Sequence, residues 1–197
     1  YMTSSVDFDE LQAMNDEVYA WIEVPGTVIN YAVVQSATDD LFYINHAVDK
    51  SYFSGGSIFS QRYNTTTFQD SMTVLYGHNS RSQAMFAQLN NFADASFFEQ
   101  NQSIYIYTPE KVYEYQIFAA YPHSSDHLLL CNDFNDPEQF AAYFDSLADG
   151  VNCNYRRDLF PQFGDKVLTL STCYRQNRTQ RFLVQGVLTQ EYTVLKK

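Results

Sequence analysis

Cysteine is scarce in this chain of 197 residues, and the pattern of the few thiols excludes two of their common uses. The three cysteines stand at positions 131, 153 and 173, with no Cys-x-x-Cys pair and no spacing typical of a zinc site. An odd number leaves at least one thiol unpaired within a monomer. Cys131 and Cys153 flank a predicted helix, and whether they form a disulfide stays open because pairing geometry does not follow from sequence alone.

Basic residues and long apolar runs are also in short supply. The chain has 12 Lys and Arg against 23 Asp and Glu, a net charge of −11, which argues against a basic face for nucleic acid or for an anionic membrane. No stretch approaches the roughly 20 apolar residues that span a bilayer. The start at Tyr1 lacks the charged and apolar regions of a signal peptide, so we expect either an intracellular protein or a trimmed ectodomain.

Aromatic residues, by contrast, are abundant. The chain has 16 Phe and 16 Tyr, and apolar residues make up 45% of it, enough for a sizeable core. Aromatic rings pack well on pleated surfaces, so this composition favours a fold that is mainly β. The length suits one domain, and no repeat, low-complexity tract or long linker divides it. We therefore expect a single domain over residues 1–197, with residues 1–15 as an N-terminal helical extension.

Short strand-like runs recur along the chain and are separated by turn residues. Short, mostly antiparallel strands at this spacing predict a closed or nearly closed β-barrel of roughly eight strands. The runs lie at residues 18–24, 28–34, 55–59, 72–76, 104–107, 111–120, 167–171 and 182–188.

Three segments carry helix signals. A capping pattern at Ser4 predicts a helix from there to about Asn15. Pro137 at a first helical position predicts a second helix that runs to about Ala148, shortly before the strand that ends at the third cysteine. Apolar side chains at helical spacing predict a third, short helix over residues 82–90.

One constellation of residues points to chemistry. Cys173 ends the run Thr-Leu-Ser-Thr-Cys after an apolar strand, and Arg181 opens the next strand. His78 follows another strand within Gly-His-Asn. A cysteine attacks carbonyls as a thiolate, which a neighbouring base or cation favours, and the tetrahedral intermediate needs hydrogen-bond donors for its oxyanion. A histidine also protonates a leaving amine. Together the three residues predict a thiol enzyme.

Each of these residues also has an ordinary structural interpretation. A cysteine after a strand is often a small core residue, a lone histidine often belongs to a turn, and an arginine at a strand start often forms a surface ion pair. Among thiol enzymes, the papain-type and caspase-type runs are absent. An L,D-transpeptidase would carry histidine and glycine directly before the cysteine, where this chain has Ser171 and Thr172.

The remaining histidines predict no metal site. His123 and His127 have a spacing that binds metals on a helix, but the intervening serines and the preceding proline favour a loop, and no His-Glu-x-x-His pattern is present. His46 lies in a polar stretch. We therefore expect neither a metal nor a cofactor.

The run at residues 169–173, with Arg181 and His78, resembles the signature of the sortases, the cysteine transpeptidases of Gram-positive cell surfaces. Class B sortases are similar in their N-terminal helix, in the opening Trp-Ile-Glu-Val-Pro-Gly-Thr of residues 21–27, and in a helix before the cysteine strand. The resemblance extends over residues 15–191.

This resemblance implies an eight-stranded sortase β-barrel with peripheral helices, and it also implies a reaction. Cys173 would attack a Thr–Gly or Thr–Asn bond in a C-terminal sorting motif of the Leu-Pro-x-Thr-Gly or Asn-Pro-x-Thr-Asn kind. The thioester would then be resolved by the amine of a peptidoglycan precursor such as lipid II, or by a pilin lysine.

The resemblance also assigns roles to individual residues. His78 would be the general acid and base, and Arg181 would stabilise the oxyanion or hold the substrate backbone. Ser171 and Thr172 would line the substrate groove. Arg175 and Arg178 lie in the same loop as Arg181, which is preferred because it directly precedes a strand.

The family also suggests a location for the protein. We expect the extracellular face of a Gram-positive membrane, with membrane contact only through an N-terminal anchor of the full-length protein. Two other functions stay open: a cysteine endopeptidase on the same scaffold, and a catalytically silent module that binds sorting peptides.

Overall fold

The structure, a computed structural model, describes residues 1–150 and 152–195 and is organised around one β-sheet. Its strands coincide with the predicted runs, with one short addition, and several are longer than predicted. The strands are β1 (Val18–Glu23), β2 (Asn30–Val34), β3 (Ile58–Phe59), β4 (Met72–Tyr76), β5 (Ser103–Tyr107), β6 (Lys111–His123), β7 (Asn154–Tyr155), β8 (Val167–Cys173) and β9 (Arg181–Thr193).

The sheet closes on itself. The strand order is β5-β1-β2-β3-β4-β8-β9-β6, and a further pairing of β5 with β6 completes the ring, while β7 adds to the outside of β6. Most pairs are antiparallel, but β2 with β3 and β4 with β8 are parallel. Closure removes the unpaired edges that an open sheet would present. The eight-stranded barrel predicted from the sequence is therefore confirmed.

Helices pack around this barrel, and most are short. Besides 3₁₀ turns, the described residues form α1 (Phe8–Met14), α2 (Ala95–Gln100), α3 (Leu128–Cys131) and α4 (Pro137–Leu147). The helix predicted before the cysteine strand is α4, with Asp136 accepting a hydrogen bond from the Glu138 amide at its start.

Two helix predictions were wrong in detail. The first helix begins at Phe8 rather than Ser4. The residue before it, Asp7, caps the helix, because its carboxylate accepts a hydrogen bond from the Glu10 amide in the first turn. Residues 82–90 do not form an α-helix. Gln83 and Met85 have positive φ, which interrupts a right-handed helix, and a 3₁₀ helix follows at Ala87–Ala93.

The barrel has apolar layers on both faces of the cysteine strand. Leu168 and Leu170 of β8 point into the barrel interior, where they pack with Val184 of β9. Val167 points outward and belongs to a second apolar cluster with Phe140 of α4. Burial on both faces restricts the register of β8, because a shift by one residue would exchange its two faces. This constraint fixes the direction of the residues at its end.

All three cysteines are free thiols, so Cys131 and Cys153 do not form the disulfide that the sequence left open. Burial raises the pKa of Cys153 to about 11, whereas Cys131 is exposed.

Among the described residues, no helix combines the length and the apolar character needed to cross a membrane.

Candidate active site

The last residue of β8 and the first residue of β9 face each other across the sheet. Cys173 and Arg181 are register partners, and the guanidinium Nη1 lies 3.8 Å from the Cys173 Sγ. Directly opposed residues of an antiparallel pair share one face of the sheet, so the register brings these side chains together. The connecting loop is closed by a hydrogen bond from the Tyr174 amide to the Gln180 carbonyl, 3.1 Å long.

The loop is also anchored in the core. The Tyr174 ring is buried and stacks on Phe182, with the ring centroids 5.5 Å apart. This packing keeps the residues on either side of the Cys173–Arg181 pair in place. The guanidinium is thereby held where it can donate hydrogen bonds to a group bound at the sulfur.

His78 reaches the same edge of the sheet through a parallel strand pair. Strand β4 runs parallel to β8 with Tyr76 opposite Ser171, and the Gly77 amide donates to the Ser171 carbonyl at 3.2 Å. Parallel strands end at the same edge, so His78 and Cys173 emerge from neighbouring strand ends.

A backbone carbonyl orients the His78 ring. The His78 Nε2 hydrogen-bonds to the Ile44 carbonyl oxygen, on a short 3₁₀ helix 34 residues earlier in the chain. A carbonyl only accepts, so Nε2 carries the proton in this arrangement. The other ring nitrogen, Nδ1, is then the one that is free to accept a proton in the neutral ring.

Two glycines allow the backbone to approach closely at this point. Gly56 has a φ of +62°, and a Cβ there would lie 2.6 Å from both the Ile44 and Tyr43 carbonyl oxygens. A Cβ on Gly77 would lie 2.6 Å from Ile58 and 2.7 Å from Phe86. Any larger residue would displace the segments that place and orient the histidine.

Two asparagines hold the backbone of the cysteine itself. The side-chain amides of Asn79 and Asn90 both donate to the Cys173 carbonyl, at 3.1 Å and 3.2 Å. Asn90 is buried, and its oxygen accepts the Arg175 amide at 2.7 Å. These bonds join the strand end to the segment after His78 and to the 3₁₀ helix Ala87–Ala93.

These residues lie along a groove of about 260 Å³ on the outer face of the sheet. The groove contains all five residues that the sequence singled out for catalysis or substrate binding, with apolar and polar neighbours from the same strands and from three other segments. Its lining is Leu41, Ile44, Phe59, Gln61, Val74, Tyr76, Gly77, His78, His123, Ser124, Ser125, Asp126, His127, Leu128, Ser171, Thr172, Cys173, Arg181 and Leu183.

The two polar residues before the cysteine differ in their orientation. Ser171 pairs with Leu183, which also lines the groove, so both belong to its floor. Thr172 pairs with Phe182, a residue of the barrel core. Thr172 is only 2% exposed, and its hydroxyl has no hydrogen-bond partner among the described residues. Its contribution to the lining is therefore mainly through the backbone.

The arginines that competed with Arg181 in the sequence are separated from it by the fold. The Arg175 guanidinium is directed to Gln83 and Asn91, at 3.3 Å and 3.4 Å, on the side of the 3₁₀ helix Ala87–Ala93. Arg178 is exposed in the loop and does not line the groove.

The two histidines with helical spacing both lie at the groove but do not form a metal site. His123 ends β6, directly opposite Arg181, and its Nδ1 contacts the Ser124 carbonyl at 3.0 Å. His127 precedes α3 and has both ring nitrogens engaged by other groups. No three His, Cys, Asp or Glu side chains within residues 1–150 and 152–195 are grouped closely enough to hold a metal ion.

Sequence reasoning missed the parts of the site that lie in loops or in the backbone. The role of the Ile44 carbonyl cannot be read from a pattern of side chains. The sequence indicates Asn90 only as part of a predicted helix. Asn79 belongs to the Gly-His-Asn motif, but the sequence does not show that its side chain hydrogen-bonds to the Cys173 carbonyl. Gly56 offered the one usable signal, because a glycine pair next to a strand indicates a special backbone conformation.

The geometry is matched by known proteins. A family model described as the sortase domain matches residues 22–189. Sortase B of Listeria monocytogenes is 29% identical over 181 residues, which cover 91% of this chain and 72% of that protein. The structure of sortase B from Clostridium perfringens aligns with a TM-score of 0.83 and 30% identity, over 93% of this chain and 100% of that one.

The structure of a third relative is that of a complex with a substrate. The structure of a Staphylococcus aureus sortase B–substrate complex aligns with a TM-score of 0.81 and 26% identity, over 93% of this chain and 84% of that one. The matching family model covers most of the sequence, and the matched structures share its barrel. The chain therefore belongs to the sortase family of cysteine transpeptidases and resembles the class B members of that family.

Proposed function

We propose that Cys173 is the nucleophile that cleaves a C-terminal sorting motif of the Asn-Pro-x-Thr-Asn or Leu-Pro-x-Thr-Gly kind and carries the surface protein as a thioester. The amine that accepts it is that of a peptidoglycan precursor such as lipid II, or a pilin lysine. The observation that carries the proposal is the 3.8 Å contact between the Arg181 guanidinium and the Cys173 sulfur, on the groove that His78 also lines.

The acylation step uses all three residues, and His78 acts in it twice. The Cys173 thiol gives its proton to Nδ1 of His78, and the sulfur attacks the threonine carbonyl carbon. Arg181 donates hydrogen bonds to the oxyanion of the tetrahedral intermediate. The carbon–nitrogen bond then breaks, and His78 returns the proton to the leaving amine.

The transfer step reverses these roles. The incoming amine attacks the thioester carbon and gives a proton to His78. The second tetrahedral intermediate expels the Cys173 thiolate, with Arg181 again stabilising the oxyanion. Because acylation needs His78 without its second proton and Cys173 with a proton to give, kcat/KM should follow a bell-shaped dependence on pH. A flat profile between about pH 5 and 9 would argue against a coupled His78 and Cys173.

The groove has a lining that suits an extended peptide. Leu41 and Ile44 at its mouth are 56% and 41% exposed, so their apolar surfaces are available to a ligand. Ser171 lies at its floor beside Leu183 and carries a hydroxyl that can hydrogen-bond. Burial raises the pKa of Tyr76 to about 12, so this groove residue keeps its phenolic proton as a donor. We propose Ser171, and to a lesser extent Thr172, as substrate-binding residues.

Mass spectrometry of the intact protein tests the reaction. The chain is incubated with a small library of sorting peptides, and we expect a mass increase equal to the acyl fragment, located on Cys173. The Cys173→Ala variant should acquire no adduct. Cys131→Ala is the matched control, since it removes an exposed thiol outside the groove lining and should leave the adduct unchanged.

The product formed with an added amine separates the competing functions. A transpeptidase yields the amide in preference to the acid, whereas an endopeptidase yields the acid even at high amine concentration. Peptide binding without an adduct would favour a silent binding module. Absence of both binding and adduct with every peptide would count against the assignment.

We propose the outer face of a Gram-positive cell membrane as the place of action, since sortases are cell-surface enzymes of these bacteria. Attachment would be through an N-terminal anchor of the full-length protein. Fractionation of cells that produce the full-length protein, with protease added from outside, tests this. Protection of the protein in intact cells would contradict it.

A further inference from the structure

His127 lies at the groove and has no role in the reaction described above. It is the residue directly before α3, whose first residue, Leu128, is buried and lines the groove. The residue therefore connects the loop that leaves β6 to one wall of the proposed peptide site.

The contacts of the His127 ring require its neutral form. The Leu130 amide donates both to His127 Nδ1 and to the His127 carbonyl oxygen, each at 3.2 Å, so the ring and its own backbone together cap the start of α3. Its Nε2 lies 2.7 Å from the Gln61 side-chain oxygen, which only accepts. Nε2 must therefore carry the proton and Nδ1 must not. A second proton would convert Nδ1 into a donor, and the Leu130 amide would then keep only the His127 carbonyl oxygen as its acceptor.

Gln61 is itself firmly held on the opposite segment. Its carbonyl accepts hydrogen bonds from the Gln35 side chain and from the Asn64 amide, both at 2.9 Å. The His127 ring also packs edge-on against Tyr63, with the centroids 4.9 Å apart. The ring thus joins α3 to the segment after β3, across 66 residues of sequence.

The groups that face the ring act on it in opposite directions. Burial lowers the pKa of His127 and is the largest effect, while a hydrogen bond to its own backbone and, to a smaller extent, the Asp40 carboxylate raise it. Asp40 is itself paired with Arg62 at 3.0 Å, which reduces its effect on the histidine. Tyr63 and Tyr76 are the other titratable groups packed against the ring, and Asp126 precedes it in the chain.

We propose that His127 is a positioning residue: its neutral ring joins α3 to Gln61 and holds the Leu128 wall of the groove in place, and protonation of the ring releases that wall. This proposal rests on the proposed function in one respect, namely that the groove takes a peptide.

The sign of the pH dependence follows from the contacts. The folded state favours the neutral ring, so the unfolded chain takes up the proton first as pH falls. The contribution of the ring is complete above the ordinary histidine pKa of about 6.5 and is lost as pH falls through the lower value of the folded state. Peptide affinity should weaken in the same interval.

Two substitutions test separately the two hydrogen bonds that the His127 ring makes. His127→Asn keeps a side-chain oxygen that caps the Leu130 amide but removes the titration and the bond to Gln61. Gln61→Met keeps the length of the side chain but removes the acceptor of the Nε2 proton. His123→Asn is the matched control for pH-dependent protection, since its ring hydrogen-bonds to the neighbouring Ser124 carbonyl and, among the described residues, to no group of α3.

Nuclear magnetic resonance gives a readout that does not depend on catalysis. The nitrogen shifts of the His127 ring report its tautomer and its titration, and hydrogen exchange reports protection of the Leu130 amide. We expect protection to fall about twofold to fivefold as His127 titrates, the lower part of the range for one neutral hydrogen bond, because the amide keeps the His127 carbonyl as a second acceptor. In His127→Asn this pH dependence should vanish, and in His123→Asn it should persist.

The second readout is peptide affinity, measured with the Cys173→Ala protein so that no turnover occurs. Affinity for a sorting peptide should fall by a similar factor over the interval in which His127 titrates, and His127→Asn should remove that fall. Gln61→Met should weaken binding above the interval in which His127 titrates and should make affinity nearly independent of pH within it. Unchanged pH dependence in His127→Asn, or a ring protonated on Nδ1 at neutral pH, would overturn the proposal.

These results are distinguishable from a failure of the proposed function. If Cys173→Ala binds no sorting peptide at any pH, the proposed function is contradicted. Protection of the Leu130 amide in the unliganded protein then still decides whether His127 holds α3.

Discussion

Cys173 and Arg181 are eight residues apart in the chain and lie opposite each other on two neighbouring strands of the barrel. His78 and the Ile44 carbonyl that orients it are 34 residues apart. The first contact needs only the register of two neighbouring strands, because opposed residues share a face. The second needs a loop to be held against the end of a strand from another part of the chain. One side of the groove is therefore built by the sheet and the other by long-range loop contacts.

The two sides of the groove contribute different things: the strand side carries the groups proposed to react, and the loop side sets their geometry. The strand side carries the reactive sulfur and the guanidinium, so substitutions there should act on the reaction and leave the fold intact. The loop side, which includes Gly56 and Asn90, sets directions and distances. Substitutions there should act through geometry and should also change stability.

The largest effect is expected on the strand side, at the nucleophile. Cys173→Ala should reduce formation of the transfer product by about 10³-fold or more, because the thioester no longer forms. The melting temperature should change little, since the residue is partly exposed. Product is measured by chromatography with a sorting peptide and an added amine. Activity retained by this variant would move the nucleophile elsewhere.

Arg181→Lys tests the guanidinium. Lysine keeps the charge but lacks the planar set of donors, so we expect kcat/KM to fall about 10²-fold to 10³-fold, as for the loss of an oxyanion donor. Arg175→Lys is the matched control in the same loop, because its guanidinium contacts Gln83 and Asn91 outside the groove lining. Equal losses in the two variants would contradict the distinction between them.

On the loop side, Gly56→Ala should move the Ile44 carbonyl away from His78. The added Cβ would meet that oxygen at 2.6 Å, and a misplacement of about 1 Å costs on the order of 10²-fold in rate. Gly164→Ala is the control, since Gly164 also has a positive φ, +103°, but no atom lies within 4 Å of the added Cβ. Gly164→Ala should lose about 1 kcal/mol of stability through its positive φ alone, whereas Gly56→Ala should lose more because of the added clash and should alone lose kcat.

The smallest effect is expected at Asn90. Asn90→Ala removes a buried hydrogen bond to the Cys173 carbonyl and leaves the Arg175 amide without its acceptor. We expect a loss of about 1–3 kcal/mol, seen as a lower melting temperature, with a modest fall in kcat. Asn91→Ala, which loses only a 3.4 Å side-chain contact to Arg175, should be nearly neutral. A larger effect at Asn91 would contradict this account of how the strand end is held.

The predictability of the site follows the same division. Cys173, Arg181 and His78 stood out because each adjoins an apolar strand, and strand ends follow from alternation and turn residues. The helices α2 and α3 and the strand β7 were not predicted, because four to six residues in a helix, or two in a strand, carry too little periodicity. The helix expected at residues 82–90 failed because positive φ values at Gln83 and Met85 serve the loop contacts of the site.

The sequence alone therefore determined the class of fold and the order of the main strands, and it predicted three candidate catalytic side chains, because these depend on local patterns and on motif spacing. Only the tertiary structure decided which nitrogen of His78 carries the proton, which arginine faces the sulfur, and that Thr172 turns inward. It also revealed the joint between His127 and Gln61. Such features depend on the meeting of distant backbone groups, which burial and loop closure set and no local pattern records.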